Sequence, residues 1–444
     1  MVRSRLGLLA ACGLFAGTQA LVSCDPPVPA EGAADMATYT PRHLSTTLTW
    51  WGDNRKRLDA FMDTYGKGSS SYDASKKPIA LFDWDNTIIK NDVGDIVLFW
   101  MLRMNKIFQP PDKNWRRTSF ILNPDALTLL KACDSLANAG EVLPTGKPEG
   151  VACADAILSV YLDNKGKTGL AAFSGYNYRR MEPTYAWAVQ LQAGYTPAEI
   201  GLLSRDAIVE ALAAKEGATQ TVGSRQVNAY LRVYDQMKDL IESMTQNGFD
   251  VWVVTATSEP VVRAFASSVS LPSDRVIGVR MVLDASGKQT YNLQGCGDVP
   301  DGKNDGGANF EGNEIMTYID GKRCWVNKVI YGDASAQAVN QRPEDKRHLF
   351  AAGDSNTDVV FVRDATQLKL IVNRNKAELM CNAYGNYMNR YLVNPMFIDP
   401  RPQQTALYPC SSTACLSPTG VAGPCLDEAQ SAIPDQKDAV YPTM

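Results

Sequence analysis

The chain has 444 residues, enough for two or three domains and a large core. With 45% hydrophobic and 21% charged residues it has the balance of a soluble globular protein, and a formal net charge of −4 gives no basis for nucleic acid as a partner. Only two histidines are present, His43 and His348, which argues against catalysis built on several imidazoles.

The first 23 residues read as an export leader. Arg3 and Arg5 form a basic start, and Leu6 to Ala16 form an apolar stretch too short for a resident membrane helix. Leu21-Val22-Ser23-Cys24 resembles the lipobox of bacterial lipoproteins, which implies lipidation at Cys24 and membrane attachment through a lipid anchor. The alternative is plain secretion with cleavage after Ala20. Residues 24–40 are rich in Pro, Ala and Gly and read as a tether. Export places the eight remaining cysteines in an oxidising compartment, so up to four disulfides are expected. Cys133 and Cys153, near neighbours in sequence, form the easiest pair. No C-x-x-C spacing occurs, which speaks against zinc.

Apolar residues return between Leu44 and Tyr65 at helical spacing. Pro78-Ile79-Ala80-Leu81-Phe82 then reads as a buried strand that runs into Asp83-Trp84-Asp85-Asn86-Thr87. From there the pattern is helical for a long stretch. Thr196-Pro197-Ala198-Glu199 is a helix start with a capping threonine. Residues 225–246 place Val227, Tyr230, Leu231, Tyr234, Met237, Leu240, Ile241 and Met244 on one helical face, closed by Asn247-Gly248. Val251 to Val254 is the next strand and ends at Thr255. A helix to about Ser268 follows, then a hairpin of 276–283 with 290–293 around Ser286-Gly287-Lys288. Residues 297–313 read as an irregular loop, and Gly321-Lys322 opens a helix toward Ile330. His348 to Ala352 is a strand landing on Gly353-Asp354-Ser355-Asn356-Thr357-Asp358, and Leu368 to Val372 supplies another. The tail, 401–444, has three cysteines and little periodicity and reads as disulfide-pinned.

Three apolar strands thus end in Asp83/Asp85, Thr255 and Asp354/Asp358. In a parallel sheet these ends share one edge, where open α/β folds bind ligands. In this order, with a lysine before the last, they resemble the haloacid dehalogenase superfamily of phosphohydrolases. The resemblance covers residues 41–95 and 246–400. It implies an α/β fold with a Rossmann-like parallel sheet and, at 96–245, a helical cap inserted after the first motif strand. It further implies that Asp83 is the nucleophile, forming an aspartyl-phosphate, and Asp85 the general acid and base. Thr255 would bind phosphate, while Asp83, Asp354 and the backbone carbonyl of Asp85 would hold Mg²⁺, with Asp358 supporting. The charges argue the same way. Two carboxylates ~4 Å apart repel by about 4 kcal/mol at an effective dielectric near 20, and hard oxygen ligands favour Mg²⁺.

The motif lysine, catalytic and phosphate-binding, is read as Lys322, with Lys328 as the alternative. Lys322 follows Gly321, which permits a tight turn, whereas Lys328 lies nearer Asp354. Tyr185-Ala186-Trp187, Ala193-Gly194-Tyr195-Thr196-Pro197 and Leu370-Ile371-Val372-Asn373-Arg374-Asn375 resemble the branch containing bacterial phosphorylcholine phosphatase. Trp100, Trp115, Tyr176, Tyr178, Tyr185 and Trp187 could then cage a quaternary ammonium, or serve as cap core. The expected activity is Mg²⁺-dependent hydrolysis of a small phosphomonoester. The rivals are transfer to an alcohol through the same intermediate and a catalytically silent surface lipoprotein.

Overall fold

The computed structural model describes residues 39–296 and 315–442. The leader, Cys24, nearly all of the tether and the loop read at 297–313 lie outside the described residues. Six strands form one all-parallel sheet: β1 (Ile79–Phe82), β2 (Asp250–Ser258), β3 (Val276–Val279), β4 (Phe350–Gly353), β5 (Leu368–Asn373) and β6 (Tyr391–Pro395), in the order β6-β5-β4-β1-β2-β3. β1 is central, with Leu81 between Ala351 of β4 and Trp252 of β2. Strand residues alternate between two apolar layers. Ala80 and Phe82 pack with Phe61 and Met62 of α1 (Asn54–Tyr65), whereas Leu81 faces Trp325, Phe361 and Leu379 on the other side. Covered on both faces, the strands need unbroken apolar runs, which is how they read in the sequence.

Between β1 and β2 the chain leaves and returns through a short antiparallel ribbon, Ile89–Lys90 with Arg232–Val233. The excursion carries α2 (Val93–Arg103), α3 (Pro124–Leu130), α4 (Val151–Leu162), α5 (Pro183–Gln190) and α6 (Pro197–Ala213). Thr196 caps α6 in a full capping box with Glu199. α7 (Asp235–Gln246) leads into β2 and α8 (Glu259–Phe265) out of it. After β3 in sequence come α9 (Asp320–Val329), α10 (Val359–Asp364) and α11 (Ala377–Gly385), which cover the face of the sheet opposite α1.

Three element boundaries differ from the sequence reading. The helix expected over 225–246 starts only at Asp235; Arg225–Asn228 instead pairs with Thr219–Val222 in a hairpin turned at Gly223, where φ is +60°. Val227, Tyr230 and Leu231 are nonetheless buried, so the apolar row was real but not helical. The helix expected from Leu44 begins at Asn54, just after Gly52 with its φ of +53°. Of the expected 276–283 hairpin arm, Val276–Val279 is β3, buried at every position, and only Met281–Leu283 pairs with Gln289–Leu293.

All eight described cysteines pair: Cys133–Cys153, as expected, then Cys296–Cys324, Cys381–Cys410 and Cys415–Cys425. Each closes a short loop, worth about 2–4 kcal/mol in the chain-entropy account. The last two pin the tail.

Candidate active site

The carboxyl ends of β1, β2, β4 and β5 converge. Asp83 directly follows β1, and its N–H donates to Ala352 O of β4 (2.9 Å). The chain then turns through Asn86, at φ +61°, and Thr87 comes back beneath Asp83. Its hydroxyl lies 3.0 Å from Asp83 Oδ2 and 2.9 Å from Asp354 Oδ1. Asp354 immediately follows β4.

Lys322, on the first turn of α9, is fully buried. Its Nζ donates to Asp83 Oδ1 (2.7 Å) and Asp358 Oδ1 (2.6 Å). Gly321 is required there, because a Cβ would meet Met316 O at 1.8 Å. Lys328 points elsewhere, to Gly295 O (3.0 Å), with its ammonium over the Trp325 ring. Asp358 spends its second oxygen on the backbone N–H groups of Asp354 and Ser355, both at 3.0 Å. It buttresses the loop.

Asp85 is held on one side by Val93 N–H (2.7 Å), at the start of α2, and on the other by the Thr257 hydroxyl (2.7 Å). Thr255, fully buried, reaches Asp85 only at 3.5 Å, and its Oγ1 accepts from Thr257 N–H (3.1 Å). β2 continues past Thr255 to Ser258, so Thr257 faces the site as well.

Two residues in this cluster were not singled out as site residues from the sequence. Arg374 follows β5, and its Nη1 meets Asp354 Oδ2 at 2.5 Å. Thr257 lies two residues beyond Thr255. Both obey the rule that already selected the others, since each lies at the carboxyl end of a strand in the sheet.

The electrostatics are lopsided. Burial, then Asp358, pushes the Asp83 carboxyl well above its ordinary range against the pull of Lys322. Burial, then Asp92, does the same to Asp85. Burial and Asp92 push Asp95 up to about 8, although the Tyr161 hydroxyl donates to it at 2.5 Å. Burial works against the charge of Lys322, but Asp358 and Asp83 outweigh it and raise its pKa.

The donor set fits a hard divalent cation. Asp83, Asp354 and Asp358 each place an oxygen within 4.8 Å of the others. Asp358 is already engaged at both oxygens. Asp83 Oδ2 and Asp354 Oδ1 share the single hydroxyl proton of Thr87, so one of them lacks a donor. A hard divalent cation would find its ligands there.

Above these groups opens a cavity of about 540 Å³, whose lining includes Tyr161, Tyr178, Tyr185, Tyr318 and Glu182. Of the six cage aromatics, Tyr178 and Tyr185 line this cavity. Trp100, Trp115 and Trp187 are buried among the cap's own side chains, the last donating its N–H to Thr118 Oγ1 (2.8 Å), and Tyr176 packs against the same core. Long aromatics fill a helical layer before they line a cavity, so most of the six serve as cap core, the alternative weighed from the sequence.

No protein-family model matches the sequence, and no curated protein does. Among solved structures the chain is similar to a conserved functionally unknown protein from Anaerococcus prevotii. The TM-score is 0.56 at 20% identity, over 79% of this chain and 93% of that one. A likeness at that identity shows the fold alone. The architecture is the one the haloacid dehalogenase resemblance implied. A substrate-bound phosphoserine phosphatase aligns over 67% of this chain and 86% of its own, at TM-score 0.30 and 13% identity. A protein with unknown function from Bordetella pertussis aligns over 72% and 100%, at 0.41 and 14%.

Proposed function

We propose that the protein is a Mg²⁺-dependent phosphomonoesterase of the haloacid dehalogenase type, exported and lipid-anchored through Cys24. The observation that carries the activity is the arrangement around Asp83. A carboxylate at a strand end is gripped by a buried ammonium, faces a second acid, and stands at the floor of a cavity. Bound Mg²⁺ would neutralise charge between Asp83, Asp354 and the phosphate, so that the attacking carboxylate is not repelled.

In this reading an Asp83 oxygen attacks phosphorus and the ester P–O bond breaks. Asp85 gives its proton to the leaving alkoxide. Asp85 then takes a proton from water, whose oxygen attacks phosphorus and releases phosphate from Asp83. Lys322 offsets negative charge throughout, and Thr255 binds the transferring phosphoryl group. The protonated state that Asp85 needs is favoured by its burial.

A cationic leaving group, as in phosphorylcholine, suits the cavity lining, where Tyr178 and Tyr185 stand with Glu182. Aromatic faces and carboxylates both favour an ammonium. The four disulfides suit an oxidising compartment.

The test is turnover of an aryl phosphate by the mature chain with Mg²⁺ and with EDTA. Activity restored by Mg²⁺, and abolished in Asp83→Asn with the fold intact, is the expected result. Undiminished activity in that variant overturns the mechanism, and a wild type inactive on a broad phosphomonoester panel favours the silent binding protein. Glycerol as acceptor distinguishes transfer from hydrolysis.

A further inference from the structure

Arg179 belongs to the cap excursion but ends on three other parts of the chain. Its Nε donates to Asp320 Oδ1 (3.1 Å), the first residue of α9, two before Lys322. Its Nη1 donates to Glu378 Oε1 of α11 (3.1 Å) and to Leu416 O in the tail (3.0 Å). Next to it, Tyr178 N–H donates to Pro418 O (2.9 Å), and the carbonyls of Arg179 and Arg180 accept from Asp320 N–H (2.9 Å) and Met316 N–H (3.2 Å). Leu416 and Pro418 belong to a small hairpin, Cys415–Leu416 paired with Ala422–Gly423, closed by Cys415–Cys425.

The residue held by these bonds matters. Tyr178 lines the cavity and meets Tyr318 edge-on at 6.1 Å. It sits on non-repetitive chain between α4 and α5, with no helix of its own to fix it. Its side chain bonds to that of Tyr318, and the backbone beneath it is tied on both sides, to α9 and to the tail. The Arg179–Glu378 pair is a poor device for stability alone. Both groups are mostly buried, and buried ion pairs often fail to repay their desolvation. A planar guanidinium that reaches several acceptors does fix the direction of the chain that carries it.

We propose that Arg179 is a positioning residue and that the disulfide-closed C-terminal hairpin is a working part of the substrate cavity. Together they hold Tyr178 against the organic end of the substrate. This rests on the phosphomonoesterase reading above. Phosphate itself binds at the Asp83 end and does not use this wall, so loss of the clasp weakens recognition of the ester and spares the phosphoryl chemistry.

The experiment compares Arg179→Met, Arg179→Lys, the double variant Arg179→Met/Glu378→Gln and Cys415→Ser/Cys425→Ser in the full mature chain. It reads KM, kcat and the inhibition constant of inorganic phosphate, with phosphorylcholine and an aryl phosphate as substrates. Arg179→Met and the double variant are expected to raise KM roughly tenfold while kcat and phosphate inhibition stay within about threefold. Arg179→Lys recovers part of the loss, and the cysteine pair shifts KM the same way by less. Unchanged KM in the double variant and the cysteine variant overturns the proposal, as does a fall in kcat that tracks weaker phosphate inhibition. If Arg179→Met does not fold, those two decide. If the wild type hydrolyses no phosphomonoester, the functional reading has failed instead. Hydrogen exchange over 176–180 then judges the clasp: protection lost in the cysteine variant supports it, and protection unchanged overturns it.

Discussion

Asp83 and Asp438 are both buried aspartates, and they keep opposite company. Asp438 is completed by neutral donors: the Tyr384 hydroxyl (2.5 Å) and Asn373 Nδ2 (3.1 Å) on one oxygen, Gln404 N–H (2.9 Å) on the other. Asp83 competes. It shares Lys322 with Asp358 and Thr87 with Asp354, and every nearby acid raises its pKa further. A buried carboxylate whose acceptors are filled holds the fold together. One that contends with other carboxylates for too few donors is kept for a ligand that brings positive charge.

The largest expected effect comes from worsening that shortage. Lys322→Met removes the ammonium between Asp83 and Asp358 and is expected to lower kcat about 10³-fold or more, whereas Lys328→Met changes kcat little. Steady-state kinetics with melting curves for both variants decides it. A silent change at Lys322 would show that Asp83 does not depend on this cation. Next is Asp85→Asn. It is expected to cost about 10²–10³-fold with an alkyl phosphate and markedly less with an activated aryl phosphate, because only the poor leaving group needs a proton. Equal losses with both esters would remove Asp85 from the acid role.

The carboxylate-rich end was legible in the sequence because strand ends and acids coincide there. Asp83, Asp85, Thr255 and Asp354 each directly follow, or lie within a step of, an apolar run, and a parallel sheet must bring such positions to one edge. Lys322 was legible through Gly321, whose missing side chain lets α9 start against Met316 O. Arg374 was not singled out because the run before it ends in Asn373, an unremarkable residue. Asp438 was invisible. It lies in a tail without periodicity, and its partners come from residues 373, 384 and 404, which nothing in the local sequence joins. The helix misread over 225–234 failed for a related reason, since burial of Val227 and Leu231 satisfies a helical row and a hairpin equally well.

The satisfied end makes the complementary prediction. Asp438→Ala leaves the Tyr384 hydroxyl, Asn373 and Gln404 N–H without their acceptor and is expected to cost about 3 kcal/mol of stability, with kcat unchanged. Denaturant melts and kinetics on one preparation test both halves. A fall in kcat without loss of stability would erase the distinction between the two clusters.

The smallest expected effect belongs to His348, a buried base completed much as Asp438 is. Its ring N–H donates to Phe361 O (2.7 Å). Burial drives its pKa down to about 4 from 6.5, with Arg347 and Lys369 adding to the effect while Asp364 and the Phe361 carbonyl oppose it. The unfolded chain therefore takes up a proton at a higher pH than the folded one. The contribution is fully present above pH 6.5 and is lost as pH falls toward 4, amounting to about 2 kcal/mol between pH 6.5 and 5. His348→Gln keeps a donor for Phe361 O and removes the titration, so its stability should fall less than that of the wild type over this range. Urea melts at pH 7, 6 and 5 in EDTA measure the difference in slope. Parallel slopes would mean that His348 is protonated while folded, and that a base at this end of β4 is no better completed than the acids at the other.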